Sequence, residues 1–168
     1  MPNYCKNILI VNGPSELIDG FARHVTGEYG NFDFNTVMPY PSHFKAMDDS
    51  CAKADKDGTR LHGMKDGYNS GGYEWCVRNW GTKWNAGNAE NIKCSLGTLF
   101  IFETAWGPPI GVVREMAIRF PALSFELHYF ERGMGRAGVW SRGEVEEDGI
   151  VPKEELSEWT NYCGMLGG

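Results

Sequence analysis

The 168-residue sequence has no apolar run near the roughly 18 to 20 residues that a membrane-spanning helix requires. Its start, MPNYCKNILIVNG, lacks the basic flank and cleavage site of a signal peptide. A soluble, cytoplasmic protein with no membrane partner is therefore expected. Patterned ligand residues are missing too. The five cysteines (Cys5, Cys51, Cys76, Cys94, Cys163) are odd in number, widely spaced and without a CxxC pair, so neither a disulfide frame nor a metal site is indicated. The four histidines form no HxH or HExxH, and no serine or cysteine sits in a nucleophile elbow. Residues 133–138, GMGRAG, match GxGxxG in spacing but precede a strand rather than open a helix, so no dinucleotide cofactor is implied.

Excess positive charge is also absent. Residues 1–142 carry 15 Lys/Arg and 15 Asp/Glu, while residues 143–168 carry seven acids against Lys153 alone, which accounts for the net charge of −6. A neutral body exerts no long-range pull on duplex phosphates, and duplex DNA is not expected as a partner on that ground.

What is present suits one domain: 42% hydrophobic residues, 13% aromatic residues and 22 glycines. Two stretches look alike. Residues 7–38 read NILIVNG, PSELIDGFARHVTG, NFDFNTVM; residues 98–131 read TLFIFETAWG, PPIGVVREMAIRFP, ALSFELHYFE. Each predicts strand, helix, strand. Leu17, Ile18, Phe21 and Val25 share one helix face, as do Ile110, Val113, Ala117 and Phe120. Pro14 and Pro108-Pro109 open the two helices, where a missing N–H costs nothing. Phe125, Leu127 and Tyr129 alternate with Glu126, His128 and Phe130 as a strand requires.

Two such halves, whose helix-crossed strands are expected to form parallel pairs with right-handed connections, predict an α+β, ferredoxin-like split βαβ sandwich over residues 1–142. FERGMGRAGVW adds a C-terminal hairpin strand, reversing near Gly133 and Gly135. Between the halves lies an insertion, residues 39–96, too long for a plain loop. Its first part, residues 42–72, holds five Lys/Arg, five Asp/Glu and five glycines and is expected to be mobile. Its second part, YEWCVRNWGTKWNAG, places Tyr73, Cys76, Val77 and Trp80 at helical spacing, with Gly81 as a left-handed cap before an exposed turn. Residues 143–168 form an acidic tail or helix, with Leu156, Trp159 and Cys163 on one face.

Certain residue blocks resemble a known family: MPN-x-C-x-N-x-L-x-V-x-G at the start, W-C-x-x-N-W-G-T-K-W-N mid-chain, and F-x-T-A-W-x-P-P-I with F-E-L-x-Y-F-E-x-G-M-G-x-A-G later. They are similar to the YubB ferredoxin-like domain family, a set of Api-type proteins of bacterial plasmids and phages. The resemblance implies the ferredoxin-like fold and a mobile-element setting, but no reaction and no catalytic residues.

Candidate site residues come from three places. Trp75 and Trp80 read as core, whereas Trp84, beyond the helix end, is expected to join Trp106 and Trp140 in lining a cleft into which Lys83 and Asn85 point. The ERGMGRAG hairpin offers Arg132 and Arg136 as guanidinium forks for phosphate or carboxylate, with Met134 at its tip. These residues predict a non-enzymatic binding protein for a nucleotide-like anionic small molecule, and the mobile-element setting adds a counter-defence role. A protein-interaction module docking on a host protein through the acidic tail is the alternative. A phosphodiesterase-like enzyme using His128 with Glu126 or Glu131 is the third reading.

Overall fold

The computed structural model describes residues 3–94, 97–141 and 144–150, and these form one six-stranded antiparallel sheet in the order β2-β3-β1-β4-β5-β6. The strands are β1 (Tyr4–Asn12), β2 (Gly87–Cys94), β3 (Gly97–Ala105), β4 (Ser124–Glu131), β5 (Arg136–Ser141) and β6 (Glu144–Ile150). Four α-helices accompany them: α1 (Ser15–Val25), α2 (Ser42–Asp57), α3 (Gly72–Asn79) and α4 (Ile110–Arg119). Strands β1 to β4 have the order and helix crossovers of the ferredoxin-like fold, as expected, but they form no parallel pair, because the helix-crossed strands β1 and β2 flank β3, and β3 and β4 flank β1; the 131–136 reversal adds β5 as the predicted hairpin strand. Beyond it, Glu144–Ile150 of the acidic segment pairs with β5 as a further edge. The helix expected around Leu156, Trp159 and Cys163 lies outside the described residues.

β1 is central, paired with β3 on one side and β4 on the other, and so reads as an apolar run buried on both faces. Side-chain alternation sends Leu9, Val11, Phe100, Phe102, Leu127 and Tyr129 to the face where α1, α3 and α4 pack, forming one continuous core. Ile8, Ile10 and Leu99 form a smaller cluster with Ile101 on the opposite face. Trp140 is wholly buried in the main core and lines no cleft, because β5 turns it to the same face as Leu127, its register partner.

The second strand of the first half is not at residues 31–38. There Asp33 accepts a hydrogen bond from the Asn35 N–H at 2.9 Å and turns the chain into a 3-10 helix, Phe34–Thr36. Phe32 and Phe34 then both drop into the core, against Phe102 at 4.7 and 6.1 Å between ring centroids, instead of pointing to opposite sides. The strand that completes the half is β2, after the Trp-rich segment, so the long excursion runs between α1 and β2.

The segment expected to be mobile instead contains α2, with Phe44, Asp48 and Cys51 turned inward and Gly58 as a left-handed cap. Its neighbouring glycines permit contact rather than motion: a Cβ at Gly67 would lie 2.0 Å from the Phe44 carbonyl oxygen, and one at Gly72 2.0 Å from the Tyr40 hydroxyl. Helix faces shift slightly from expectation. In α4 the fully buried residues are Val112, Val113 and Met116, with Ile110, Ala117 and Phe120 flanking; in α1 Leu17 is exposed.

Helix α3 docks on the start of α4 through Gly111, where an added Cβ would meet the Asn79 carbonyl oxygen at 1.9 Å. Gly111→Ala must therefore push the two elements apart. Overpacking of this kind costs about 1–3 kcal/mol, expected as a lowered urea midpoint with unchanged slope.

Candidate functional site

The excursion between α1 and β2 folds around a cavity of about 500 Å³ on the helix side of the domain, a size usual for small-molecule sites. Four short pieces wall it: the turn after α1 with Tyr29, the stretch from Asp33 to Tyr40, the inner side of α2 with Lys45 and Asp48, and the Trp80–Asn85 segment, with Tyr68 between them. Tyr29, Tyr40, Tyr68, Trp80 and Trp84 give the walls their aromatic faces.

Polar groups hold these pieces in place. Asp33 is buried; one carboxylate oxygen accepts from Asn35 and from the Asn85 side-chain amide at 2.7 Å, and the other from the Tyr29 N–H at 3.3 Å. Asn85 returns the tie by accepting the Phe34 N–H at 2.9 Å. Asp48 accepts from the Tyr40 hydroxyl at 3.1 Å and from the Tyr68 N–H at 2.9 Å. Trp80 is buried and donates its indole N–H to the Met38 carbonyl at 2.8 Å. The chain then leaves α3 through Gly81 in the left-handed region, and Thr82 anchors the next turn by donating to the Ala105 carbonyl at 2.8 Å. This anchoring leaves Lys83 and Trp84 at the cavity's edge.

Lys83 lies between two indoles, its Nζ 4.4 Å from the Trp84 ring centroid and 5.4 Å from that of Trp106. Both rings are close to half exposed. Tyr68 donates its hydroxyl to the Lys83 carbonyl at 3.3 Å, joining the cavity wall to this pair. Lys45, at the other wall, has a 3.5 Å ion pair with exposed Asp49 and a 3.5 Å contact with the Tyr29 hydroxyl, which holds its amine above the usual lysine range.

Burial excludes thiol chemistry here. The Cys76 thiol lines the cavity but is pushed up to about 12, first by burial and then by the nearby Asp48 carboxylate, so it stays protonated and inert. Cys5, Cys51 and Cys76 are all buried free thiols.

The predicted site residues are thus divided. Lys83, Trp84 and Asn85 line the cavity, with the Asn85 side chain committed to the Asp33 tie. Trp106 reaches it through Lys83. Arg132, Met134 and Arg136 do not line it. They lie on the β4–β5 hairpin at the same end of the sheet, but the start of β1 intervenes: Cys5 pairs with Thr104 on one side and Glu131 on the other. Two strand spacings, about 10 Å, separate those flanking strands. Glu131 is buried and binds the turn itself, accepting the Gly133 and Met134 N–H groups at 2.7 Å each, which fixes the tip with Arg132 and Met134 exposed. Glu126 and His128 contact each other on β4, and neither they nor Glu131 line the cavity.

Tyr29, Asp33, Tyr40, Lys45, Asp48 and Tyr68 were not legible as site residues. The available signals were the Asp33-x-Asn35 turn pattern and the Phe44, Asp48, Cys51 spacing of a one-sided helix.

Residues 79–161 match a family model described as the ferredoxin-like domain in Api92-like protein. Among solved structures, the chain is similar to the crystal structure of a protein Api92 from Yersinia pseudotuberculosis, with 13% identity and a TM-score of 0.54, over 90% of this chain and 99% of that one. At such identity the likeness is one of fold. No curated protein matches the chain. The matched residues include Trp80 to Asn85 but not the opposing cavity walls.

Two tests follow from the polar ties. Asn85→Ala leaves the Phe34 N–H without its acceptor and takes one donor from Asp33, whose oxygen keeps Asn35, a loss of about 1–3 kcal/mol expected in denaturant unfolding. Tyr40 is held above the ordinary tyrosine range first by burial and then by Asp48, and Tyr68 by burial. A raised phenol binds its proton in the folded state after the unfolded chain has released it, so its contribution is complete below about pH 10 and declines as pH rises from there toward the folded-state value. The thermal midpoint is expected to fall on this alkaline limb, and less steeply in Tyr40→Phe.

Proposed function

We propose that this chain is a non-enzymatic binding protein whose cavity takes a small planar anion of the nucleotide type. The observation that carries the reading is the unequal commitment of charges around a cavity that also presents the rings of Tyr29, Tyr40, Tyr68, Trp80 and Trp84. Its two inner carboxylates, Asp33 and Asp48, are occupied by hydrogen bonds from Asn35, Asn85, Tyr40 and Tyr68, while a third acid, Glu28, stands exposed at its rim near Lys45. Among the described residues its two amines meet ring faces, in Lys83, or weak surface contacts, in Lys45. A base or similar ring stacks on Trp84, and a phosphate or carboxylate is drawn to the ammonium groups. Sequestration needs no acid/base pair at the cavity, in keeping with the position of Glu126 and His128 on β4.

The mobile-element setting implied by the family resemblance gives such a binder a purpose: removing an anionic nucleotide signal from a host defence in the cytoplasm. The buried free thiols suit a reducing compartment.

Calorimetric titration with nucleoside 5′-monophosphates and the matching unphosphorylated nucleosides tests this reading. Binding is expected to require the phosphate, and Trp84→Ala to weaken it about 5- to 100-fold with the thermal midpoint unchanged. Equal affinity for nucleoside and nucleotide would remove the amines from the account; no binding by either would remove the site.

A further inference from the structure

Trp106 is the part of this region that the cavity does not explain. It follows the last residue of β3, has φ = 72°, and is 45% exposed. A bulky side chain rarely occupies the left-handed region, and such backbone persists only where its surroundings hold it there. The holding contacts are clear: the Trp106 N–H donates to the Asn3 carbonyl at 2.9 Å, Thr104 donates to the Gly107 carbonyl at 2.7 Å, and Thr82 donates to the carbonyl of Ala105. Packing does not account for the ring itself, since it lies outside the core and outside the cavity lining. Its notable neighbour is the Lys83 ammonium, which also faces Trp84. One cation therefore marks the border between a ring inside the site and a ring just outside it.

We infer that the ligand is a short oligonucleotide of at least two units rather than a mononucleotide. This rests on the binding reading given above and specifies its ligand. One base stacks on Trp84 in the cavity, the phosphodiester that follows lies at Lys83, and the next base stacks on Trp106. Both rings lie within cation–π range of the same Nζ, so they are separated by no more than the two distances combined, a span that adjoining nucleotides bridge. Stacking on an exposed ring is tolerant of base identity, so length rather than sequence is the property read at Trp106.

The test uses the full chain, the four ribonucleoside 5′-monophosphates and the four corresponding 5′-phosphorylated homodinucleotides, with affinity read from tryptophan fluorescence. A dinucleotide is expected to bind at least about tenfold more tightly than its monophosphate. Trp106→Asn removes the ring but suits the left-handed backbone; it is expected to abolish that gain, so that dinucleotide and monophosphate bind the variant alike. Trp106→Tyr, which keeps a stacking face, is expected to retain most of the gain. Equal affinity for both lengths in the unaltered chain, or a dinucleotide advantage that survives in Trp106→Asn, overturns the two-unit ligand while the monophosphate site stands. No binding of any of the eight compounds into the millimolar range overturns the cavity reading and this inference together.

Discussion

The mutual hydrogen bonds of Asn85 with Asp33 and the Phe34 N–H join positions that are 51 and 52 residues apart. A ferredoxin-like half ordinarily passes from its helix into its next strand by a short connection. Here the path from Val25 to Gly87 includes two further α-helices and two 3-10 turns. Closing so long a loop costs entropy only slowly with length, but it requires contacts at its two ends to define a geometry. The amide–carboxylate tie supplies them. Because its Asp33 end is buried, that carboxylate must be matched by donors, and the matching fixes the 3-10 turn, the start of β2 and the floor of the cavity together.

Aromatic packing extends the same arrangement into the core. Phe32 and Phe34 meet Phe100, Phe102 and Trp80, while Trp80 also contacts Tyr40 and Trp75. Edge and tilted contacts are directional, so the rings position the excursion as well as covering the sheet. Trp84 is only four residues beyond Trp80 yet lies on the surface. Gly81 and the buried Thr82 anchor change the chain's direction between them. That one turn separates a tryptophan of the core from a half-exposed tryptophan at the cavity's edge.

The second half of the fold was open to reading because its local patterns coincide with its burial. In β3, α4 and β4, apolar periodicity, opening prolines and strand alternation agree with one another. The first half misleads at NFDFNTVM, where alternation suggests a strand but Asp33 bonds its own backbone neighbour. Glycines and charges between residues 42 and 72 likewise suggest mobility, although at Gly67 and Gly72 the missing side chain serves close packing against Phe44 and Tyr40. Composition cannot distinguish a glycine that frees the chain from one that lets another segment approach.

From its residues alone, the chain determined a ferredoxin-like α+β domain, a C-terminal hairpin strand, a buried Trp80 and an exposed Trp84, since each follows from burial periodicity or turn chemistry acting over a few neighbours. Tertiary structure decided where the first half ends. β2, GNAENIKC, has a weak apolar pattern and takes its identity from backbone pairing with β3. It also decided that Lys83 and Trp84 share a cavity with Tyr40 and Asp48, while Arg132 and Arg136 stand on a hairpin beyond β1. Those placements depend on which distant strand ends and buried polar groups meet, a long-range matching that no local window contains.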